Sequence, residues 1–176
     1  PRAPLEGFPE IYAPTGTPRT PRTKMNNRYL LDETGKYKGE DGRWDLEELE
    51  VAVLDAKGSL ADSLLSQVVD RCAGIPEVVE EDSGEPVDIA PACVILSDWD
   101  GRESIESEGT IIWREMIGSS LFATPDLSRM GKLFGDNFDA DNPIYTPSTL
   151  APAEEKDLIL QSLAKAVLML RSANIP

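Results

Sequence analysis

From residue 45 onward, apolar side chains recur at intervals of three and four. That spacing puts them on one face of successive helices. The first helix is predicted over 45–57. Asp45 stands at its N-cap, Glu47 and Glu48 in the first turn, and Leu46, Leu49, Val53 and Leu54 form its stripe, with Lys57 and Gly58 as the stop. The second begins at Ser59 or Leu60, carries Leu60, Leu64, Val68 and Cys72 on one side, and stops at Gly74. A loop through Pro76, Ser83, Gly84 and Pro86 leads to Asp88. This residue is expected to cap a third helix bearing Ile89, Cys93, Leu96 and Trp99, with Gly101 ending it and Trp99 turned inward. A longer segment, 105–122, contains Trp113 and presents Ile112, Met116 and Leu121 to the core.

After a loop-like stretch rich in Asp, Asn and Pro over 123–150, the last helix has the strongest pattern. Ser148 or Thr149 precedes it, Pro152 suits its first turn, Glu154, Glu155 and Asp157 complement its dipole, and Asn174 with Pro176 ends it. Ile159, Leu163, Val167 and Leu170 make its principal face, widened by Leu160, Ala164, Ala166 and Leu168. A helix apolar over that much of its circumference must be covered on more than one side, so it is expected to be the central packing element.

The beginning of the chain lacks this periodicity. Pro1, Pro4, Pro9, Pro14, Pro18 and Pro21 fall within residues 1–24, and proline fixes φ and removes a donor, so this stretch is predicted to be an extended arm and not a helix. Leu5, Phe8 and Ile11 would dock it on a larger body. Residues 31–43, with Gly35, Gly39 and Gly42, read as a loop. The expected fold class is therefore all-α, an irregular helical bundle preceded by an extended Pro-rich arm, divided as 1–43 and 44–176.

Composition narrows the function. A net charge of −15 over 176 residues, with a pI near 4.3, argues against nucleic acid or an anionic membrane as partner. No run approaches 18 uninterrupted apolar residues. The chain has no histidine, which removes the commonest general base and transition-metal ligand. Its two cysteines, Cys72 and Cys93, match no zinc spacing and sit in apolar helical segments, where two buried free thiols are the simplest reading.

Candidate chemistry is sparse. In Asp98-Trp99-Asp100-Gly101-Arg102 a calcium loop of EF-hand type fails, because the sixth position is Glu103 where glycine is needed. Local pairing of the carboxylates with the guanidinium at a helix end is the better account. Asp136, Asp139 and Asp141, beside Asn137 and Asn142, could hold calcium, but Asx turns explain the composition without a metal. No serine lies in a Gly-x-Ser-x-Gly motif. Arg19, Arg22, Lys24 and Arg28 form the one basic cluster, too small against the acidic remainder to bind nucleic acid.

Several segments, in order, resemble the penicillin amidase family of N-terminal-nucleophile acylases. They are the Pro-Arg-Ala-Pro-Leu-Glu-Gly-Phe-Pro-Glu-Ile opening, Arg-Thr-Pro-Arg-Thr-Lys-Met over 19–25, and Ala-Cys-Val-Ile-Leu-Ser-Asp-Trp-Asp-Gly-Arg over 92–102. Phe-Asp-Ala-Asp-Asn-Pro over 138–143, Thr146-Pro147 and Leu-Met-Leu-Arg over 168–171 complete the series. The opening and the Trp-Asp-Gly-Arg motif are the most specific pieces.

The resemblance implies a parent enzyme that hydrolyses the amide bond of an N-acylated small molecule, a penicillin, cephalosporin or acyl-homoserine lactone. An N-terminal Ser would attack, its own α-amino group would act as base, and an Asn with backbone N–H groups would hold the oxyanion. Family members carry that Asn just before an Asn-Pro-x-x-Pro-Leu stretch, and this sequence resembles the stretch from its first Pro. The chain is thus expected to be an internal helical piece of the β-chain, with no catalytic residue of its own and no activity alone. Its partners would be the α-chain and β-chain sandwich of the parent and, for the parent, the small N-acyl substrate, with no nucleic acid and no membrane. No cofactor is expected, and structural calcium in the parent is left open. Arg19 and Arg22 match the family's arginine run near the active site, whereas Lys24 stands where its last Arg would be and Pro21 is additional. A structural, salt-bridged role for either arginine stands beside an active-site one. Family members are exported, so a periplasmic or secreted location is implied, and in an oxidising compartment Cys72 and Cys93 become a reasonable disulfide pair. An alternative from another class is a stand-alone acidic helical interaction module, which accounts for the charge but not for the order of the motifs.

Overall fold

A computed structural model describes residues 18–31, 41–121, 133–153 and 157–175. The arm with Leu5, Phe8 and Ile11, most of the predicted 31–43 loop, and Glu154 and Glu155 lie outside the described residues. Within them the chain is mostly helical: α1 (Pro21–Leu31), α2 (Leu46–Leu54), α3 (Ser59–Cys72), α4 (Ala90–Asp98), α5 (Gly109–Leu121) and α6 (Leu158–Ser172). The one sheet described is an antiparallel hairpin of β1 (Glu77–Val79) and β2 (Pro86–Asp88), in register Glu77↔Asp88, Val78↔Val87 and Val79↔Pro86.

The core lies between α3, α4, α5 and α6, and the hairpin packs on α6. Leu64 and Val68 of α3, Leu96 of α4, Met116 of α5 and Leu163 of α6 are completely buried there, together with Ile89 just before α4. Helix α6 follows its predicted pattern: Ile159, Leu163, Ala164, Ala166 and Leu170 are buried, and α5, α3 and both strands pack against it. Cys72 at the end of α3 and Cys93 in α4 form a disulfide that fastens these two helices within the core.

The structure departs from the sequence reading in several places, each with a local cause. Residues 21–24 are helical, not extended. Pro21 falls at the first helical position, where its missing N–H costs nothing, and Thr20 caps the turn by accepting from Thr23 N at 3.3 Å through Oγ1 and from Lys24 N at 2.9 Å through its carbonyl. The loop predicted between Pro76 and Pro86 contains the hairpin, whose Val87 is fully buried. Glu80 closes its turn, its carboxylate accepting from Ser83 N at 2.8 Å and Ser83 Oγ at 2.7 Å. Those two bonds hold the carboxyl of Glu80 below the usual range.

Helix α5 begins at Gly109, and Ile105, expected within it, is 99% exposed. Helix α6 is capped by Asp157, which accepts from Ile159 N and Leu160 N, and not by Ser148 or Thr149; Pro152 lies ahead of it. Asp88 sits one residue before the cap position of α4, yet its carboxylate still accepts from Ala90 N at 3.1 Å. Helix α2 has the predicted start, a full capping box between Asp45 and Glu48, but it ends at Leu54. Its stripe is not core: no residue of α2 is buried.

Candidate functional site

Folding divides the basic cluster of Arg19, Arg22, Lys24 and Arg28. Lys24 and Arg28 stand one turn apart and face the body of the protein; Arg22 is exposed. Arg28 pairs with Asp62 of α3 through Nη1 and donates to Ser63 Oγ at 3.1 Å through Nη2, while its guanidinium lies 5.5 Å from the ring centre of Tyr145. Asp62 also forms an ion pair with Lys57, Nζ to Oδ1 3.2 Å. Lys24 is buried, donates from Nζ to Pro147 O at 2.6 Å, and sits 5.8 Å from the centre of the Phe134 ring. Burial, seconded by the neighbouring Arg28 charge and opposed by Asp136, pushes its ammonium down to about 8. These two residues therefore clamp α1 onto α3 and the 134–147 loop. Arg19, ahead of the helix, keeps Nη1 buried without a hydrogen-bond partner among the described residues.

A second junction forms around Asp55, just past α2. Its side chain is 4% exposed. Oδ1 accepts Arg102 Nε at 3.0 Å and Arg102 Nη2 at 2.6 Å, and Oδ2 accepts Tyr29 Oη at 3.1 Å. One carboxylate thus joins α1, the end of α2 and the turn after α4. The Trp-Asp-Gly-Arg motif supplies that turn. Trp99 is 8% exposed, donates from Nε1 to Arg102 O at 2.9 Å, and lies with its ring centre 5.7 Å from that of Trp113. Gly101, at φ +79°, lets the chain reverse so that its carbonyl accepts Gly58 N at 3.3 Å. Local pairing within the motif is weaker than expected: Arg102 approaches Asp100 at 3.7 Å between two exposed side chains, and its close partner is Asp55, 47 residues away. Asp55 carried no signal in the sequence, since it belongs to no motif and is brought to Arg102 only by packing.

In the acidic loop, Asp136 spends its carboxylate on Ser148 N at 2.8 Å and Thr149 N at 2.8 Å, and Asp139 makes an Asx turn to Asp141 N at 2.8 Å. Among the described residues no group of three His, Cys, Asp or Glu is placed to hold a metal ion.

Between the N-terminal ends of α1 and α3 and the sides of α5 and α6 lies an open cleft of about 560 Å³. Ser59 is the one hydroxyl among its described lining residues, which also include Glu103, Trp113, Arg114 and Glu115. A serine needs an adjacent base to act as nucleophile, and the chain has no histidine to provide one.

The comparisons with known proteins agree with the motifs. Residues 3–176 match the sequence profile of the family described as Penicillin amidase. An acyl-homoserine lactone acylase PvdQ of Pseudomonas syringae pv. syringae (strain B728a) is 30% identical over 151 residues, covering 86% of this chain and 17% of the relative. The aculeacin-A acylase of Actinoplanes utahensis is 27% identical over 149 residues, covering 84% of this chain and 17% of the relative. A PvdQ of Pseudomonas fluorescens (strain Pf0-1) aligns over 99% of this chain at 25% identity. The chain thus spans about one sixth of the length of the curated relatives it matches, 17% for both the P. syringae and the A. utahensis protein. With its profile match over nearly every residue, the chain belongs to the penicillin amidase family.

Proposed function

We propose that this chain is the helical part of an N-terminal-nucleophile acylase that hydrolyses the amide bond of an N-acylated small molecule, with acyl-homoserine lactones as the favoured substrate class. The family match over 3–176 carries this reading, and relatives named acyl-homoserine lactone acylase set the preference among substrates. The catalytic groups belong to other parts of the longer protein: the nucleophilic Ser with its α-amino base and the Asn of the oxyanion site. The role of the present residues is structural. Lys24 and Arg28 fix α1, which carries Arg22 and follows Arg19, onto α3 and the 134–147 loop.

Export to an oxidising compartment, periplasmic or extracellular, is part of the proposal. The Cys72–Cys93 bond supports it, because disulfides persist there and are rare in reducing cytosol. Acyl-homoserine lactone hydrolysis by an exported enzyme would quench quorum signals.

The test compares the full-length protein with the 176-residue chain on N-acyl-homoserine lactones of several acyl lengths and on phenylacetyl and glutaryl amides. Carboxylic acid release by the full-length protein and none by the chain is expected. Turnover that copurifies with the chain alone would refute the assignment of catalysis elsewhere, and failure of the full-length protein on every amide would refute the acylase reading.

A further inference from the structure

Helix α2 is specified by its sequence and has no buried residue, so its apolar face is left without a partner among the described residues. Its capping box is complete, yet Leu46 is 82% exposed, Leu49 45%, Val53 78% and Leu54 71%. A nine-residue helix is marginal in water, and such helices normally gain stability by burying an apolar face. Here Leu46, Leu49 and Val53 share a face that nothing described covers. The hydroxyl of Tyr29 on Asp55 ties the end of α2 to α1, whose last two residues, Leu30 and Leu31, are also exposed. Exposed apolar side chains in such number mark an interaction surface.

We propose that α2, with the C-terminal end of α1, is the surface on which this helical unit docks against the remainder of the longer acylase, at an apolar face rimmed by basic side chains. The inference rests on the acylase reading proposed above. Two observations choose the occupant. The chain covers 17% of relatives such as the P. syringae acylase, so in a protein of that size most of the polypeptide is available to cover the face. Helix α2 also carries Glu47, Glu48 and Glu50 and no basic residue, on a chain of net charge −15. A second copy would bring like charges together, whereas a surface with Lys or Arg at its rim would complement them.

The experiment uses the full-length protein with Val53→Cys or Leu49→Cys, labelled by a maleimide. The rate in native buffer is compared with that of the same protein in denaturant, after subtraction of the unsubstituted protein, and acylase activity is read in the same sample. Docking predicts labelling at least about tenfold slower in the native protein, together with slow amide hydrogen exchange over residues 46–54 in the unsubstituted protein, because a covered surface reacts only on opening. Glu47→Lys combined with Glu50→Lys is expected to raise the Val53→Cys rate severalfold. Labelling near the denatured rate in an active sample overturns the docking proposal and leaves the acylase reading standing. Protection in an inactive sample supports docking and counts against the acylase reading alone. Protection that disappears on dilution identifies a second copy and overturns the proposal, and an unchanged rate in the Lys variant overturns the basic rim.

Discussion

Replacing Asp55 with Ala should destabilise the chain well beyond what an ordinary surface ion pair is worth. The carboxylate is 4% exposed and accepts two guanidinium bonds from Arg102, at 3.0 and 2.6 Å, and one from the phenol of Tyr29 at 3.1 Å. Hydrogen bonds to charged groups contribute about 1.5–3 kcal/mol and a neutral-donor bond about 1 kcal/mol. Some of this returns as solvation, because the Arg102 side chain is 52% exposed and regains water once released. A net loss of about 2–3 kcal/mol follows, against at most about 1 kcal/mol for an exposed pair. Asp55→Asn keeps an acceptor for one donor but removes the charge, and should cost about 1–2 kcal/mol. The assay is urea denaturation followed by circular dichroism, in a double-mutant cycle with Arg102→Ala. A coupling of about 1–2 kcal/mol between the two sites is expected. Coupling indistinguishable from zero, or a loss below about 0.5 kcal/mol for Asp55→Ala, would refute the claim that this carboxylate locks three segments together.

Three further outcomes follow from the packing. Gly109→Ala puts a methyl against Cβ and Cγ of Trp99, closer than van der Waals contact allows, so it should cost about 2 kcal/mol or more and alter the near-ultraviolet signal of the Trp99–Trp113 pair; an unchanged spectrum and stability would count against that contact. For Lys24, the folded value of about 8 lies below the 10.5 of a free lysine, so the unfolded chain binds more protons between these values and stability rises as pH increases through that window. The stability of the native sequence minus that of Lys24→Met should accordingly grow from about pH 7.5 to about pH 10, and a constant or falling difference would contradict it. Leu163→Asp should prevent folding by placing an unpaired carboxylate in the core, whereas Lys165→Ala, which loses an exposed pair with Asp82, should cost less than about 1 kcal/mol by denaturant titration.

The sequence by itself determined what depends on local periodicity and capping. The face of α6, the start of α2 at Asp45, the Leu64–Val68–Cys72 stripe of α3 and the inward turn of Trp99 before Gly101 all follow from side-chain spacing within one or two turns. The family motifs were legible for the same reason, as short ordered strings. Proline at residue 21 is ambiguous in the sequence because its meaning depends on position: it forbids a helix interior and favours a helix start, and only the Thr20 cap decides between them.

Tertiary structure decided the rest. Helix α2 is amphipathic in sequence like the core helices, and periodicity cannot say whether a partner for that face lies within the described fold. The three-residue strands are too short to show alternation, so their hairpin emerged only from pairing and from the buried Val87. Arg19, Arg22, Lys24 and Arg28 look equivalent along the chain, yet packing buried Lys24, paired Arg28 with Asp62 and left Arg22 in solvent. Asp55 meets Arg102 across 47 residues because the chain turns at Gly101, a contact that no local pattern encodes.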